Sequence, residues 1–87
     1  MKSDSEEIFY YTYVLLSPKD GLHYIGFSDN IDQRFKEHCS GLVEATKDRR
    51  PLKLAYYEAC QSREKAIQRE KYFKTGYGRR FLKSRLA

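Results

Sequence analysis

The pattern of apolar and polar positions divides the chain into three strands and three helices. Residues 9–16 are aromatic, β-branched or apolar throughout, which is typical of a strand covered on both faces near the middle of a sheet. Residues 22–27 form a second strand after a turn that has a proline near its start and Gly21 at its end. The two segments therefore predict an antiparallel hairpin.

The register of this hairpin decides which side chains meet. If residues 18–20 form the loop and Leu16 lies opposite Gly21, then Tyr13 lies opposite Tyr24. Residues opposite each other share one face of a sheet, so the two phenols are expected side by side.

A third strand is predicted for residues 52–59, where the side chains alternate in character. Its two predicted faces are Leu52, Leu54 and Tyr56, and Ala55, Tyr57 and Ala59. The preceding segment, residues 41–51, is polar and basic and is interpreted as a loop that can also reach a ligand.

Capping residues mark the first two helices. Residues 28–30 (Ser-Asp-Asn) are all good N-caps for a helix that carries Ile31 and Phe35 one turn apart and ends near Cys39. Ser62 caps a second helix that runs to about Thr75.

The segment Gly76-Tyr77-Gly78 is expected to break the second helix, and residues 79–86 form a short last one. The order β-β-α-β-α-α predicts one α+β domain over residues 9–87, in which helices flank a three-stranded, mostly antiparallel sheet. Residues 1–8 are charged and aperiodic, and they are expected to be disordered.

The charge distribution points to a polyanionic partner. The net charge is +5, but residues 1–61 carry eight basic against ten acidic residues, whereas residues 62–87 carry nine against two. A basic C-terminal end favours nucleic acid over an anionic membrane, the alternative being an ordinary well-charged surface. The cations assigned to backbone phosphates are Lys47, Arg49, Arg50, Lys74, Arg79, Arg80 and Lys83.

Other features exclude several classes of protein. The acidic N-terminus does not fit a signal peptide, and no apolar run approaches membrane length, so a cytoplasmic protein is expected. Cys39 and Cys60 show neither CxxC pairing nor metal-finger spacing.

Two stretches carry candidate chemistry. Tyr24, in the second strand, and Arg34, early in the first helix, could bring a hydroxyl and a guanidinium to one phosphate, although core packing of the strand and a solvated arginine are the more frequent explanations of such residues. Glu70 falls within the apolar stripe of the second helix, between the directions of Phe73 and Ile67. A carboxylate there needs a partner, a proton or a metal; the alternative is an exposed pair with Lys74.

These residues give the chain its resemblance to the GIY-YIG nuclease domain, over residues 9–86. Residues 11–13 (Tyr-Thr-Tyr) stand where the family has Gly-Ile-Tyr, residues 24–26 (Tyr-Ile-Gly) match the second half of the name, and Arg34 and Glu70 follow in order. The chain looks most like the short stand-alone members, which are similar to the catalytic domain of the excision-repair incision subunit. Tyr11 and Thr12 depart from the motif and leave open how closely substrate backbone approaches the strand.

The resemblance implies a divalent-metal-dependent endonuclease that hydrolyses DNA phosphodiesters, with selectivity for DNA structure in repair or recombination. It implies that Tyr13 is the base or a proton relay, that Tyr24 and Arg34 contact the phosphate, and that His38 lies near it. It also implies that Glu70 holds one Mg²⁺ or Mn²⁺ ion, with no organic cofactor. The alternatives are a nucleic-acid-binding module that keeps the fold without cutting, and a protein-interaction domain with a tyrosine-rich surface. The oligomeric state stays open.

Overall fold

The computed structural model describes residues 7–86, which form three strands and three helices in the predicted β-β-α-β-α-α order. The elements are β1 (Tyr10–Leu16), β2 (His23–Ser28), α1 (Ile31–Cys39), β3 (Lys53–Cys60), α2 (Arg63–Phe73) and α3 (Gly76–Leu86), with a short 3-10 helix at Lys47–Arg49 before β3. The predicted disorder of residues 1–8 falls mainly on residues outside the described range and stays a prediction.

The strands form one antiparallel sheet in the order β2-β1-β3, which confirms the predicted α+β class. The central strand is β1, and its residues 12–15 are all buried, because helices or loops cover both faces. The apolar run of residues 9–16 is therefore unbroken because both faces of β1 are covered, as the sequence predicted.

The predicted register of the hairpin is wrong by two residues. Tyr13 lies opposite Gly26, and Tyr24 lies opposite Leu15. The cause is a longer turn, in which Asp20 accepts a hydrogen bond from the Leu22 backbone at 2.9 Å, so β2 begins only at His23. Since a shift of two keeps the alternation of side chains, Tyr13 and Tyr24 still share a face, with ring centroids 6.5 Å apart.

The predicted alternation along β3 is also wrong at one point. The register with β1 passes from Tyr56 opposite Val14 directly to Leu54 opposite Leu15, so Ala55 forms a bulge. As a result, Leu54 moves to the face that carries Leu15, and it no longer shares a face with Tyr56.

Two apolar clusters lie on opposite faces of the sheet. The first contains Tyr13, Leu15 and Leu52 with Tyr24, Ile31 and Phe35, and it holds α1. The second contains Val14, Phe73 and Leu82 with Ile25, Tyr56, Phe81 and Leu86, and it holds α2 and α3. The sheet therefore lies between α1 on one side and the α2–α3 pair on the other.

The last helix begins three residues earlier than predicted, since Gly76 and Gly78 lie within it. Thr75 caps α3 by accepting a hydrogen bond from the Gly78 backbone at 3.1 Å. Gly78 is required by packing, because a Cβ at this position would lie 1.9 Å from the Tyr72 carbonyl oxygen in α2. Across residues 7–86, every helix is too short or too polar to cross a membrane.

Candidate active site

The Tyr13 side chain lies directly over Gly26 of the neighbouring strand. A Cβ at position 26 would come within 2.4 Å of Tyr13 Cζ and Oη, which is closer than such atoms approach in proteins. Only glycine leaves room for the phenol here. The glycine at the end of the Tyr-Ile-Gly segment of β2 therefore allows the Tyr13 hydroxyl to occupy its position over the strand.

The Tyr13 hydroxyl forms a buried hydrogen bond with His38, at 2.9 Å between Oη and Nε2. His38 comes from the last turn of α1 and is 0% exposed, and Tyr13 is 2% exposed. The other ring nitrogen of His38, Nδ1, lies 2.7 Å from Thr46 Oγ1. The Tyr24 ring packs edge-on against the imidazole, with centroids 5.2 Å apart.

Burial keeps both partners of this hydrogen bond neutral. Desolvation raises the pKa of Tyr13 above its usual value of 10.0, although interaction with the Arg34 guanidinium partly opposes the shift. Desolvation also lowers the pKa of His38 below 6.5, and the nearby Arg34 charge acts in the same direction. A neutral phenol therefore contacts a neutral imidazole near pH 7.

Arg34 places a partly exposed cation beside the buried pair. It lies one turn before His38 on α1, so both side chains project from the same side of the helix. Its guanidinium interacts with the Tyr13 hydroxyl, and Nη1 donates to Glu37 Oε1 at 3.0 Å. The side chain is 39% exposed, which leaves donors free for a ligand.

Glu70 lies near the apolar side of α2 and also pairs with Lys74. Its position on α2 falls between buried Ala66 and Phe73, yet its carboxylate accepts from Lys74 Nζ at 3.1 Å. The Glu70 charge contributes to the raised pKa of Tyr13, so the carboxylate lies within electrostatic reach of the phenol. The side chain is 23% exposed and thus remains accessible to an ion.

The structure therefore brings Tyr13, Tyr24, Arg34 and His38 into contact and leaves Glu70 at the margin of the group. One member was missed by sequence reasoning. Thr46 lies in a loop and shows no periodic or motif signal, and its contact with His38 depends on how that loop folds back over α1.

The cations of the loop before β3 have partners within the protein. Arg49 pairs with Asp20 at 2.7 Å and also donates to the Leu22 carbonyl, which fastens the loop to the β1–β2 turn. The Arg49 guanidinium lowers the pKa of Asp20 to about 2. Lys47 pairs with Glu44 at 3.3 Å, and Arg50 donates to the Lys47 carbonyl.

The cations of α3 lie away from the phenol. Arg79 and Lys83 border a groove that is floored by Leu16, Ile25 and Leu82. Leu16 and Ile25 belong to the face of the sheet opposite Tyr13, so this groove and the candidate site are on different sides. Arg80 is exposed and stacks on the Tyr77 ring, 4.8 Å from its centroid.

Comparisons with known proteins identify the family of the chain. The model of the GIY-YIG catalytic domain matches residues 9–83. A UPF0213 protein of Bacillus licheniformis is 42% identical over 66 residues, which cover 75% of this chain and 67% of that protein. A UPF0213 protein of Limosilactobacillus reuteri is 40% identical over 68 residues, covering 75% and 70%.

A solved structure shares the fold as well. The solution NMR structure of a UPF0213 protein from Bacillus halodurans matches with a TM-score of 0.54 and 33% identity, covering 87% of this chain and 83% of that one. The family match spans both strands of the hairpin, α1 and the helix that carries Glu70. The chain therefore belongs to the GIY-YIG nuclease family, among its small members.

Proposed function

We propose that this protein is a divalent-metal-dependent endonuclease that hydrolyses phosphodiester bonds in DNA. The observation that carries the proposal is the buried Tyr13–His38 hydrogen bond beside the partly exposed Arg34 guanidinium. Such a group supplies a proton acceptor and a fixed positive charge at one place, which are the two requirements of phosphodiester hydrolysis.

Tyr13 acts as a proton relay in this proposal. A free phenolate would be costly near pH 7, because burial raises the pKa of Tyr13 above 10.0. The attacking water can instead give its proton to Tyr13 Oη while the Tyr13 proton passes to His38 Nε2, 2.9 Å away. The lowered pKa of His38 keeps the imidazole neutral near pH 7, so one ring nitrogen carries a free lone pair that can accept the proton.

Arg34 and Tyr24 hold the phosphate in this proposal. The guanidinium has five N–H donors in a planar fork, so the bond to Glu37 leaves enough donors to bridge two phosphate oxygens. Negative charge grows on these oxygens during hydrolysis, and a fixed cation stabilises it. Tyr24 lies beside His38 and is half-buried, so its hydroxyl can add a neutral donor.

Glu70 is the residue that would hold the metal. A single carboxylate, completed by waters and phosphate oxygens, suits Mg²⁺ or Mn²⁺. In the structure, the ammonium group of Lys74 forms an ion pair with this carboxylate. Within residues 7–86, no three His, Cys, Asp or Glu side chains form a metal-binding group, so the proposal assigns one ion. When bound, the ion would supply Lewis-acid stabilisation of the leaving 3′ oxygen.

The surface cations would position DNA through its backbone. Lys74 lies next to Glu70 and would contact a phosphate beside the proposed metal site, whereas Arg79 and Lys83 border the groove on the opposite face of the sheet and would contact more distant phosphates. Contacts of this kind carry no base recognition and weaken with added salt. A preference for branched or damaged DNA would then come from the shape of the substrate.

Incubation of purified protein with labelled linear and branched DNAs, in Mg²⁺, Mn²⁺ or EDTA, tests the proposal. We expect products in either metal and none in EDTA, and we expect Arg34→Ala and Glu70→Ala to abolish cleavage while remaining folded. Glu64→Ala is the matched control, because Glu64 is an exposed carboxylate in the first turn of the same helix. Salt-sensitive binding without products would instead identify a binding module, and unchanged cleavage by Glu70→Ala would refute the metal assignment.

A further inference from the structure

We infer that Thr46 is a positioning residue that holds the proton of His38 on Nδ1, so that Nε2 is free to accept the proton of Tyr13. The inference rests on the proposed function, because it explains how Tyr13 loses its proton during hydrolysis. It concerns a residue outside the four sequence positions that give the chain its resemblance to the family.

The local geometry makes Thr46 a fixed partner. Thr46 is 0% exposed, and its Oγ1 lies 2.7 Å from His38 Nδ1. Its backbone N–H donates to the Val43 carbonyl at 3.1 Å, and its carbonyl accepts from Arg49 N at 2.9 Å. Ser17 Oγ of the hairpin turn donates to the Arg49 carbonyl at 2.7 Å, which ties this loop to the sheet.

The hydrogen atoms of the network allow two arrangements. Tyr13, neutral His38 and Thr46 carry one polar side-chain hydrogen each, but only two contacts join the three groups. In the first arrangement, Tyr13 donates to Nε2 and Nδ1–H donates to Thr46. In the second, Thr46 donates to Nδ1 and Nε2–H donates to Tyr13. One hydroxyl hydrogen points elsewhere in each case.

The surroundings of the two hydroxyls favour the first arrangement. Among the described residues, the hydrogen-bonding partners of the Tyr13 hydroxyl are His38 Nε2 and the Arg34 guanidinium, and a guanidinium cannot accept a hydrogen bond. The phenol of Tyr13 is also a stronger hydrogen-bond donor than the aliphatic hydroxyl of Thr46, so the first arrangement pairs the better donor with the basic ring nitrogen.

The first arrangement also completes the proton path. The water oxygen bonds to phosphorus while its proton moves to Tyr13 Oη and the Tyr13 proton moves to His38 Nε2. The bond between phosphorus and the 3′ oxygen breaks, and that oxygen keeps the electron pair and takes a proton from solvent. His38 becomes an imidazolium whose Nδ1–H remains bonded to Thr46, and it later returns its extra proton to solvent.

Thr46→Val tests the inference, because valine has a similar shape and lacks the hydroxyl. Thr46→Ser is the conservative variant that keeps the oxygen. Thr12→Val is the matched control, since Thr12 is also buried and donates to the Ala66 carbonyl on the other side of the sheet. All three variants are compared with wild type in cleavage kinetics and in ¹⁵N NMR spectra of the histidine rings.

The NMR spectrum reports the tautomer without any need for activity. We expect wild-type His38 to be protonated on Nδ1, and we expect this preference to weaken in Thr46→Val and to return in Thr46→Ser. His23→Gln assigns the signals, because His23 and His38 are the two histidines of the chain. A wild-type ring protonated on Nε2 would overturn the inference even if the protein cleaves DNA.

The kinetics separate a positioning role from a merely structural one. We expect Thr46→Val to lower kcat by about tenfold to a hundredfold with KM unchanged, a range known for residues that orient metal-bound histidines. Thr46→Ser should restore most of kcat, and Thr12→Val should change stability without changing kcat. Wild-type kcat in Thr46→Val would refute the inference but leave the proposed nuclease activity intact. If no cleavage is found in any protein, the NMR result still decides the tautomer.

Discussion

Substitution of Gly26 by alanine probes the site through packing alone. The new Cβ would lie 2.4 Å from Tyr13 Cζ and Oη, whereas ordinary contacts begin at 3.4 Å, so the ring must retreat by about 1 Å. The ring cannot move freely, because Tyr13 is 2% exposed and packs against Leu15 and Leu52. The retreat therefore disturbs the 2.9 Å hydrogen bond to His38.

Two magnitudes follow from this geometry. Overpacking of a dense core costs roughly 1–3 kcal/mol of unfolding free energy. In a domain of this size, each kcal/mol corresponds to a fall in Tm of about 4–8 °C. Misplacement of a reacting group by about 1 Å can cost on the order of a hundredfold in rate. The expected loss of activity is thus larger than the loss of folded protein can explain.

Single-turnover cleavage, measured well below the Tm of each variant, separates the two effects. Gly21→Ala is the control, because Gly21 has φ +72° and no atom within 4 Å of a new Cβ. Backbone strain should lower its stability by roughly 1 kcal/mol, with no change in the cleavage rate. A wild-type rate in folded Gly26→Ala would show that the position of the Tyr13 hydroxyl does not control the chemistry.

Three further predictions concern charged groups. The cleavage rate should rise with pH through a pKa below 6.5, because protonated His38 cannot accept the Tyr13 proton; a rate that falls over this range would contradict the relay. Lys74→Gln should lower the Mg²⁺ concentration for half-maximal cleavage by roughly twofold to fivefold, since it removes an exposed cation that competes for Glu70. An increase in this concentration would argue against Glu70 as the metal ligand. Asp20→Asn should lower Tm near pH 7, because the depressed pKa of Asp20 stabilises the fold only while the carboxylate is charged. The difference from wild type should shrink as the pH falls from about 3.8 to about 2 and be lost below that; a difference that is undiminished at pH 2 would exclude the Arg49 pair as its cause.

Much of the fold could be predicted because it depends on local patterns. The apolar run of β1 requires cover on both faces, and the Ser62 cap sets the start of α2. The hairpin register could not be predicted, because it depends on a hydrogen bond inside the turn, which the Leu22 N–H donates to the Asp20 carboxylate. The start of α3 was misjudged because Gly78 resembles a helix breaker, yet it serves the close approach of two helices.

In the candidate site, too, local patterns could be predicted, whereas contacts that depend on the folding of loops and helices could not. Sequence reasoning could place Tyr13 and Tyr24 on one face, because a register error of two residues keeps the alternation of side chains. It could not find Thr46, since no local pattern reports that this loop hydroxyl reaches the imidazole of His38. Nor could it show that Arg79 and Lys83 border the opposite face of the sheet, because that placement depends on how α3 packs.

The single-turnover rate of Tyr13→Phe at saturating DNA in Mg²⁺ measures the role of the Tyr13 hydroxyl in cleavage. This substitution removes one oxygen atom and leaves the ring over Gly26, so the fold and the affinity for DNA should be kept. If Tyr13 relays the proton, we expect a rate about a hundredfold or more below wild type, which is the usual contribution of a proton-transfer group. A Tyr13→Phe variant that cleaves DNA at the wild-type rate would contradict this role.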